Sequence, residues 1–255
     1  MVRRSVRVAV VGGMLMGMAV FLAAAPAGGP AAASGEPSPE AMAVLTMLEA
    51  RKATLKDFTA KVELRTDHLA GDTESKLGDA EFVNDAPGDP RFAAHFTKAT
   101  AGGKALPSPD EQVIFDGAKL ALVDNKAKTF RLTTMTTPGG VPGGVTSVGG
   151  PMPLPIGLKP ADVVRDFVVT MGEAPDAEHV VLKLVPRAAV KSKFDYKSMT
   201  LTVDKKLELP VKVELNQKSS DVTTISLTDV QVNSGAAKIP PVTPPTGSGW
   251  TIQKE

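Results

Sequence analysis

The sequence contains no cysteine among its 255 residues. This absence excludes disulfides, thiol nucleophiles and thiolate metal sites, and it also excludes a cysteine that carries a lipid anchor. Aromatic residues make up only 4% of the chain, with one tryptophan and one tyrosine. The 29 basic and 28 acidic side chains are interspersed. Clustered positive charge, which binding to nucleic acid requires, is therefore missing.

Motifs for catalysis are missing as well. The chain has no nucleotide-binding P-loop and no H-E-x-x-H zinc motif. The nearest approach to a nucleophile elbow, "GVTSVGG", lies in a glycine-rich segment with no strand before it. His68, His95 and His179 lie far apart in the sequence, and Asp116 and Asp124 occupy turn positions where aspartate bonds to nearby backbone. We therefore expect a protein that is not an enzyme and that needs neither a cofactor nor a metal.

The N-terminus has the three parts of a secretory signal peptide. Arginines at positions 3, 4 and 7 precede an apolar run that ends near Ala25, and an A-x-A site follows at 31–33. The run is long enough for an uncleaved membrane anchor, which is the alternative. Its glycines and its alanine-rich end favour cleavage. We expect a signal peptide over residues 1–33, a flexible leader over 34–38, and one exported, periplasmic domain over 39–255.

Hydrophobic periodicity predicts an α+β domain. From Pro39 to Asp57 apolar residues recur at helical spacing, and after Phe58 the period changes to two. Short alternating segments separated by turn residues then indicate about 9–11 antiparallel strands in one large sheet that curls. Pro210 predicts an edge strand or a β-bulge, and the change of parity between Leu227 and Val230 predicts a β-bulge.

A glycine- and proline-rich loop over 137–160 interrupts the strands. Such long loops are lids, binding loops or disordered linkers. A second helix is predicted after it, because Pro160 suits a first helical turn and Gly172 suits a helix end. The apolar residues of this predicted helix include Val163, Val164, Phe167 and Met171.

The segment "VIFDGAKLALVDNKAKTFRL" poses the main functional question. Leu120–Val123 is apolar at every position, so both faces of one strand avoid water. Helices and a second layer of the fold's own core would explain this pattern. A hydrophobic cavity inside the curled sheet, with the loop and second helix as its lid, would explain it equally well. Periodicity alone leaves both open.

In this chain a signal peptide and a helix precede "LKDFTAKVEL", "GDAEFVN" and "RFAAHF"; "FDGAKLALVDNKAKTF" and "LTVDKKLELPVKVELN" follow. The order of these segments resembles the periplasmic outer-membrane lipoprotein carrier family (LolA-like). The segment "FDGAKLALVDNKAKTF" is similar to the family's S-D-G-K-T-L-W-x-Y-[ND]-P hairpin, and the resemblance covers nearly all of the expected mature chain. It implies an incomplete, strongly curved antiparallel β-barrel with helices covering its open side.

The resemblance also implies a function without catalysis. A carrier of this kind binds the acyl chains of a lipoprotein, or other lipid, in its hydrophobic cavity and shuttles them toward the outer membrane. Its partners would be an inner-membrane ABC exporter and an outer-membrane receptor, and the carrier would act as a monomer. A LolA-like sensor of envelope lipid or lipoprotein, or a structural envelope protein without transfer activity, is the alternative.

The expected site consists of apolar strand residues and a lid. Residues 163, 164, 167 and 171 form the expected lid. Arg91 is the candidate gate by analogy with a gating arginine of the family, although it is out of register with it. The expected cavity lining is Val62, Leu64, Phe82, Phe92, Phe96, Phe115, Leu120, Leu122, Phe130, Met199, Leu201 and Val213.

Overall fold

The computed structural model describes residues 35–84, 90–116, 119–134, 155–156 and 158–254. The predicted signal peptide and most of the predicted loop over 137–160 lie outside the described residues. Within them, no helix combines the length and the apolar character that a membrane crossing requires.

The first helix, α1, spans Pro39–Thr54. Ser38 caps its N-terminus, because the side-chain oxygen accepts a hydrogen bond from the backbone N–H of Ala41 at 3.2 Å. Ala41, Leu45 and Leu48 are buried and form one stripe along the helix. The predicted helix is confirmed, and it ends three residues earlier than expected.

A single sheet of 13 strands accounts for most of the described chain. Its strand order is β13-β7-β6-β5-β3-β2-β1-β12-β11-β10-β9-β8, with β4 paired only to β3. Neighbours are antiparallel except β13 and β7, which are parallel. The strands are β1 (Asp57–Asp67), β2 (Thr73–Val83), β3 (Arg91–Ala101), β4 (Lys104–Ala105), β5 (Glu111–Asp116), β6 (Lys119–Asp124), β7 (Thr129–Thr134), β8 (Phe167–Met171), β9 (His179–Pro186), β10 (Tyr196–Asp204), β11 (Leu209–Gln217), β12 (Val222–Val232) and β13 (Thr251–Lys254).

The sheet curves around α1 without closing. Phe115 from β5 and Met199 from β10 lie far apart in the strand order, yet they share one buried cluster with Leu45 of α1. The two end strands, β13 and β8, do not pair with each other. The expected α+β half-barrel is therefore confirmed. It has more than the expected 9–11 strands, because the chain adds the two-residue β4 and the C-terminal β13.

The second helix is shorter than predicted. The helix α2 spans only Pro160–Asp166, and the chain continues directly into β8. Within β8, Phe167 and Val169 are buried whereas Thr170 and Met171 are exposed, which is a strand pattern and not a helical stripe. Consecutive β-branched residues at 168–170 favour a strand, and pairing with β9 supplies its hydrogen bonds. A short 3₁₀ turn at Lys191–Lys193 follows β9.

A bulge is present at both predicted positions, and β11, which contains Pro210, is not an edge strand. The register between β10 and β11 shifts where Val203 pairs with Pro210, so the residue without an N–H lies at an irregularity of an interior strand. The register between β1 and β12 shifts between Thr59 and Lys61. Asp229, opposite this shift, has a φ of 52°.

Two hairpins repeat the same turn. Asp124 Oδ1 accepts hydrogen bonds from the backbone N–H groups of Lys126 and Ala127 at 2.9 and 2.8 Å. Asp204 Oδ1 does the same for the two residues at the equivalent positions, 206 and 207. The expected structural role of Asp124 is confirmed, while the turn at residues 117 and 118, after Asp116, lies outside the described residues.

Candidate ligand-binding site

Ten of the twelve residues expected to line a cavity lie on the face of the sheet toward α1, here called the inner face. They belong to, or pack against, one cluster of buried side chains, the main cluster, which includes Leu45 and Leu48 of α1. Phe92, Met199, Leu201 and Val213 are completely buried. The ten residues are Val62, Leu64, Phe82, Phe92, Phe96, Phe115, Leu120, Met199, Leu201 and Val213.

The other two expected lining residues have different surroundings. Leu122 shares the inner face with Leu120, but 38% of it is exposed. It pairs with Val113 and Arg131 near the β7 end of the sheet. Phe130 is buried, but it lies on the opposite, outer face, in a second cluster. The sequence does not show which face of β7 is the inner one. Phe130 was expected on the inner face, but it lies on the outer face.

The outer cluster answers the question posed by Leu120–Val123. Leu120 points into the main cluster, whereas Ala121 and Val123 belong to the outer cluster with Phe130. The C-terminal segment covers this outer face: Val242 is buried there, and Ile239 and Trp250 pack against the cluster. The second apolar face of β6 is thus covered by the chain itself, and neither lipid nor a lid is needed there.

An open groove lies between the N-terminal segment, α1 and α2. Its volume is about 680 Å³. Three of its residues, Glu36, Glu49 and Lys159, are charged. The apolar lining residues are Pro37, Met42, Pro160, Ala161 and Val164. Since Met42 and Val164 also pack against the main cluster, the floor of the groove is continuous with the core.

One arginine connects two walls of the groove. Arg187, which follows β9, donates from Nε to the carbonyl oxygen of Val164 in α2 at 3.0 Å. Its Nη2 donates to the carbonyl oxygen of Gly35, immediately before the groove residue Glu36. The arginine therefore holds the N-terminal segment and α2 together.

Ion pairs stabilise α2 on its exposed side. Arg165 Nε and Nη2 donate to the carboxylate of Asp166 at 2.8 Å, and Nη1 donates to Asp162 at 2.8 Å. The hydrogen bonds between Arg165 and Asp166 lower the pKa of Asp166 and raise the pKa of Arg165. Arg165 is exposed and the two carboxylates are partly buried, so the contribution of these pairs to stability is modest.

The four residues expected to form a lid have three different environments. Val163 is buried in the main cluster, and Val164 lines the groove. Phe167 is buried in the main cluster as the first residue of β8, whereas Met171, also in β8, is 36% exposed. Only the first two lie on a helix, because the predicted helix ends at Asp166.

The candidate gate, Arg91, lies at the start of β3. Alternation places it on the outer face with Ala93, while Phe92 and Phe96 point into the main cluster. The arginine is therefore not on the face that the expected cavity residues share.

Histidines form pairs with carboxylates in the described chain, but not a metal centre. His95 Nε2 lies 2.8 Å from Asp110 Oδ1, and His179 Nδ1 lies 2.7 Å from Asp176 Oδ1. Each of these two histidines is thus satisfied by a single carboxylate. Among the described residues, no group of three or more potential ligands could hold a metal ion.

Comparisons with known proteins give matches only among solved structures. No protein-family model matches the chain, and no curated protein matches it. An uncharacterized conserved protein from Thermus thermophilus is 9% identical with a TM-score of 0.47, over 85% of this chain and 99% of that one. MucB from Pseudomonas aeruginosa, solved in complex with MucA, is 12% identical with a TM-score of 0.44, over 78% of this chain and 58% of that one.

A LolA superfamily protein from Nitrosomonas europaea is also among the matches. It is 13% identical to this chain with a TM-score of 0.31, and the match covers 79% of this chain and 94% of that one.

Sequence reasoning did not identify most of the groove. Val164 was expected in the site, but the lining residues from the N-terminal segment and α1 were not. Met42 and Glu49 fall within the helix predicted from Pro39 to Asp57, which was not expected to line a site. No motif marks these residues, because they come together only when α1 packs beside α2.

Proposed function

We propose that the protein is a periplasmic carrier that binds the acyl chains of a lipoprotein, or other lipid. The observation that carries this proposal is the apolar groove between α1 and α2, whose floor is continuous with the main cluster. Its volume lies in the range of pockets that hold small ligands. In this proposal the lipid chains lie in the groove and extend toward the interior of the half-barrel.

The energetics of acyl-chain binding suit this architecture. Each methylene removed from water contributes about 0.8 kcal/mol, so even a chain bound along part of its length gains several kcal/mol. The interior beneath the groove is occupied by α1, with Leu45 and Leu48 buried. Deep insertion of a chain therefore requires one of the helices to move.

The helix α2 is the element suited to move. It has only seven residues, and Lys159 at its N-cap forms no side-chain capping bond. A helix of this length has little stability of its own, so its position depends on packing and on the contacts with Arg187. Its displacement would extend the groove into the main cluster and would allow later release of the lipid.

Transfer toward the outer membrane is the finer part of the proposal. A carrier would receive its lipid from an inner-membrane exporter and deliver it to an outer-membrane receptor. The groove is open to solvent, so a lipid can enter and leave it as such an exchange requires. No catalytic step is part of this function.

A structural envelope protein is the second candidate, and one observation favours it. The residues expected to line a cavity are packed against α1, with several completely buried. A core filled in this way stabilises a half-barrel without any ligand.

Lipid bound to the purified protein distinguishes the two functions. Native mass spectrometry of the full chain recovered from the envelope should show an additional acyl species. The variant Ala161→Trp fills the groove from an exposed position and should lose that species, whereas Ala177→Trp, at an exposed turn away from the groove, should retain it. A wild-type protein that is always empty, even after incubation with lipid, would favour the structural function.

A further inference from the structure

The chemistry of the groove rim indicates which lipids the groove selects. The inference rests on the proposed function, since it concerns the head group of a lipid whose chain lies in the groove. Three charged side chains line the groove: Glu36 from the N-terminal segment, Glu49 from α1, and Lys159 just before α2. All three residues are exposed.

These three charges have no partner of opposite charge in the part of the chain that the structure describes. Arg165 and Asp166, a few residues away on α2, form an ion pair at 2.8 Å. By contrast, no hydrogen bond or ion pair within the described ranges involves the side chains of Glu36, Glu49 or Lys159. Their full charges are therefore available to a ligand.

The charges are also separated by sign. The two carboxylates belong to the N-terminal segment and α1, and the ammonium group belongs to the segment that leads into α2. A head group above the groove thus has negative charge from α1 and the N-terminal segment, and positive charge from the residue before α2. Electrostatic complementarity favours a ligand that itself carries both signs.

The apolar lining favours a lipid over a peptide. Pro37 and Pro160 lack a backbone N–H, so neither can donate a hydrogen bond to an extended peptide. Met42 and Val164 connect the floor to the main cluster and offer only apolar surface. An acyl chain has no hydrogen-bonding groups, so it can bind by contact with this apolar surface alone.

We propose that the groove selects amphiphiles with a zwitterionic head group, whose anionic phosphate lies near Lys159 and whose ammonium group lies near Glu36 and Glu49. An anionic head group would be attracted by Lys159 but repelled by the carboxylates of Glu36 and Glu49. Arg187 beside the groove is bound to two backbone carbonyl groups. Among the lining side chains the two carboxylates outnumber the one ammonium group, so we expect an anionic lipid with the same chain to bind more weakly.

Two lysolipids with identical chains test the inference. Palmitoyl lysophosphatidylethanolamine and palmitoyl lysophosphatidylglycerol are titrated, below their aggregation concentrations, into the full chain in an isothermal titration calorimeter at low salt. We expect the wild type to bind the zwitterionic lipid about tenfold more tightly. The double variant Glu36→Gln, Glu49→Gln should lose this preference, and Lys159→Gln should weaken binding of both lipids. Glu173→Gln, at an exposed site outside the groove, is the matched control and should behave as the wild type.

The outcomes separate this inference from the proposed function. Equal affinity for the two lipids, unaltered by the rim substitutions, overturns the head-group selection and leaves acyl-chain binding intact. Absence of binding by either lipid overturns both. Binding that Ala161→Trp does not reduce places the lipid outside the groove and also overturns the inference. Circular dichroism of each variant confirms that it is folded.

Discussion

The Oδ1 atom of Asp57 accepts a hydrogen bond from the backbone N–H of Gly235 at 3.0 Å, across a sequence separation of 178 residues. The same oxygen accepts the N–H of Ser234 at 3.1 Å. Beside it, Asn233 Nδ2 donates to the carbonyl oxygen of Thr54 at 3.0 Å. The first residue of β1 and the residues that follow β12 thus form one junction at the C-terminal end of α1. The C-terminal segment starts from this junction.

Removal of the Asp57 carboxylate should therefore destabilise the fold. Asp57 is only 8% exposed, so its backbone donors would lose a charged acceptor in a largely buried site. We expect Asp57→Ala to lower the free energy of unfolding by about 2 kcal/mol, measured by urea denaturation. Asp72→Ala is the control, because Asp72 is exposed and its side chain forms no hydrogen bond within the described ranges; its effect should stay within about 0.5 kcal/mol. Equal effects of the two substitutions would contradict the role of the junction.

The outer cluster can be tested separately from the main cluster, because the chain has a single tryptophan and this residue packs against the outer one. Phe130→Ala should shift the emission of Trp250 to longer wavelength under native conditions, since the C-terminal segment loses its buried contact. Phe96→Ala, the same substitution in the main cluster, should lower stability by about 3–5 kcal/mol without shifting the emission of the folded protein. Identical emission of Phe130→Ala and the wild type would show that Phe130 does not hold the C-terminal segment.

Gly78 allows the close approach of β2 to β3. A Cβ atom at this position would lie 1.9 Å from the carbonyl oxygen of His95, a backbone atom that cannot move without disturbing the strand. We expect Gly78→Ala to cost about 1–3 kcal/mol of stability. At Gly172 the nearest atom to an added Cβ, at 2.6 Å, is a side-chain methyl of Val181, so Gly172→Ala should cost less. Denaturant midpoints of both variants test this order, and a reversed order would argue against it.

Asp110 should contribute to the pH dependence of stability. Hydrogen bonds from Asn125 and from His95 lower the pKa of Asp110. Because this pKa is lower in the folded than in the unfolded chain, the stabilising contribution is present above the unfolded value of about 3.9. It is lost as the pH falls through the folded value. The difference in urea midpoint between the wild type and Asp110→Asn should therefore be constant near neutral pH and should disappear in acid. A difference that persists in acid would contradict this account.

The secondary structure and the α+β class could be predicted wherever a single sequence pattern specified the local structure. The stripe of Leu45 and Leu48 predicted α1, and alternation predicted the strands. Proline at position 210 predicted an irregularity, since it cannot donate a ladder hydrogen bond. The prediction of a helix was wrong at Phe167–Met171. The apolar run there is compatible with a helix or a strand, and pairing with β9 makes it a strand.

The candidate site was less predictable than the fold. Ten of the expected lining residues share the inner face, but the groove is built mainly by residues such as Met42, Glu49 and Lys159, which carry no motif. Whether the ten residues contact a lipid, and whether residues 1–33 are a signal peptide, stay predictions.

The sequence by itself determined the α+β class, most of the strands and the absence of thiol chemistry, because these follow from residue type and local period. Only the tertiary structure decided which neighbour covers each face of Leu120–Val123. When a strand is apolar on both sides, its sequence does not show which side faces the core, and long-range packing decides this. Leu120 packs in the main cluster, and Ala121 and Val123 pack in the outer cluster with the C-terminal segment. The same long-range packing brings α1 beside α2 and creates the groove.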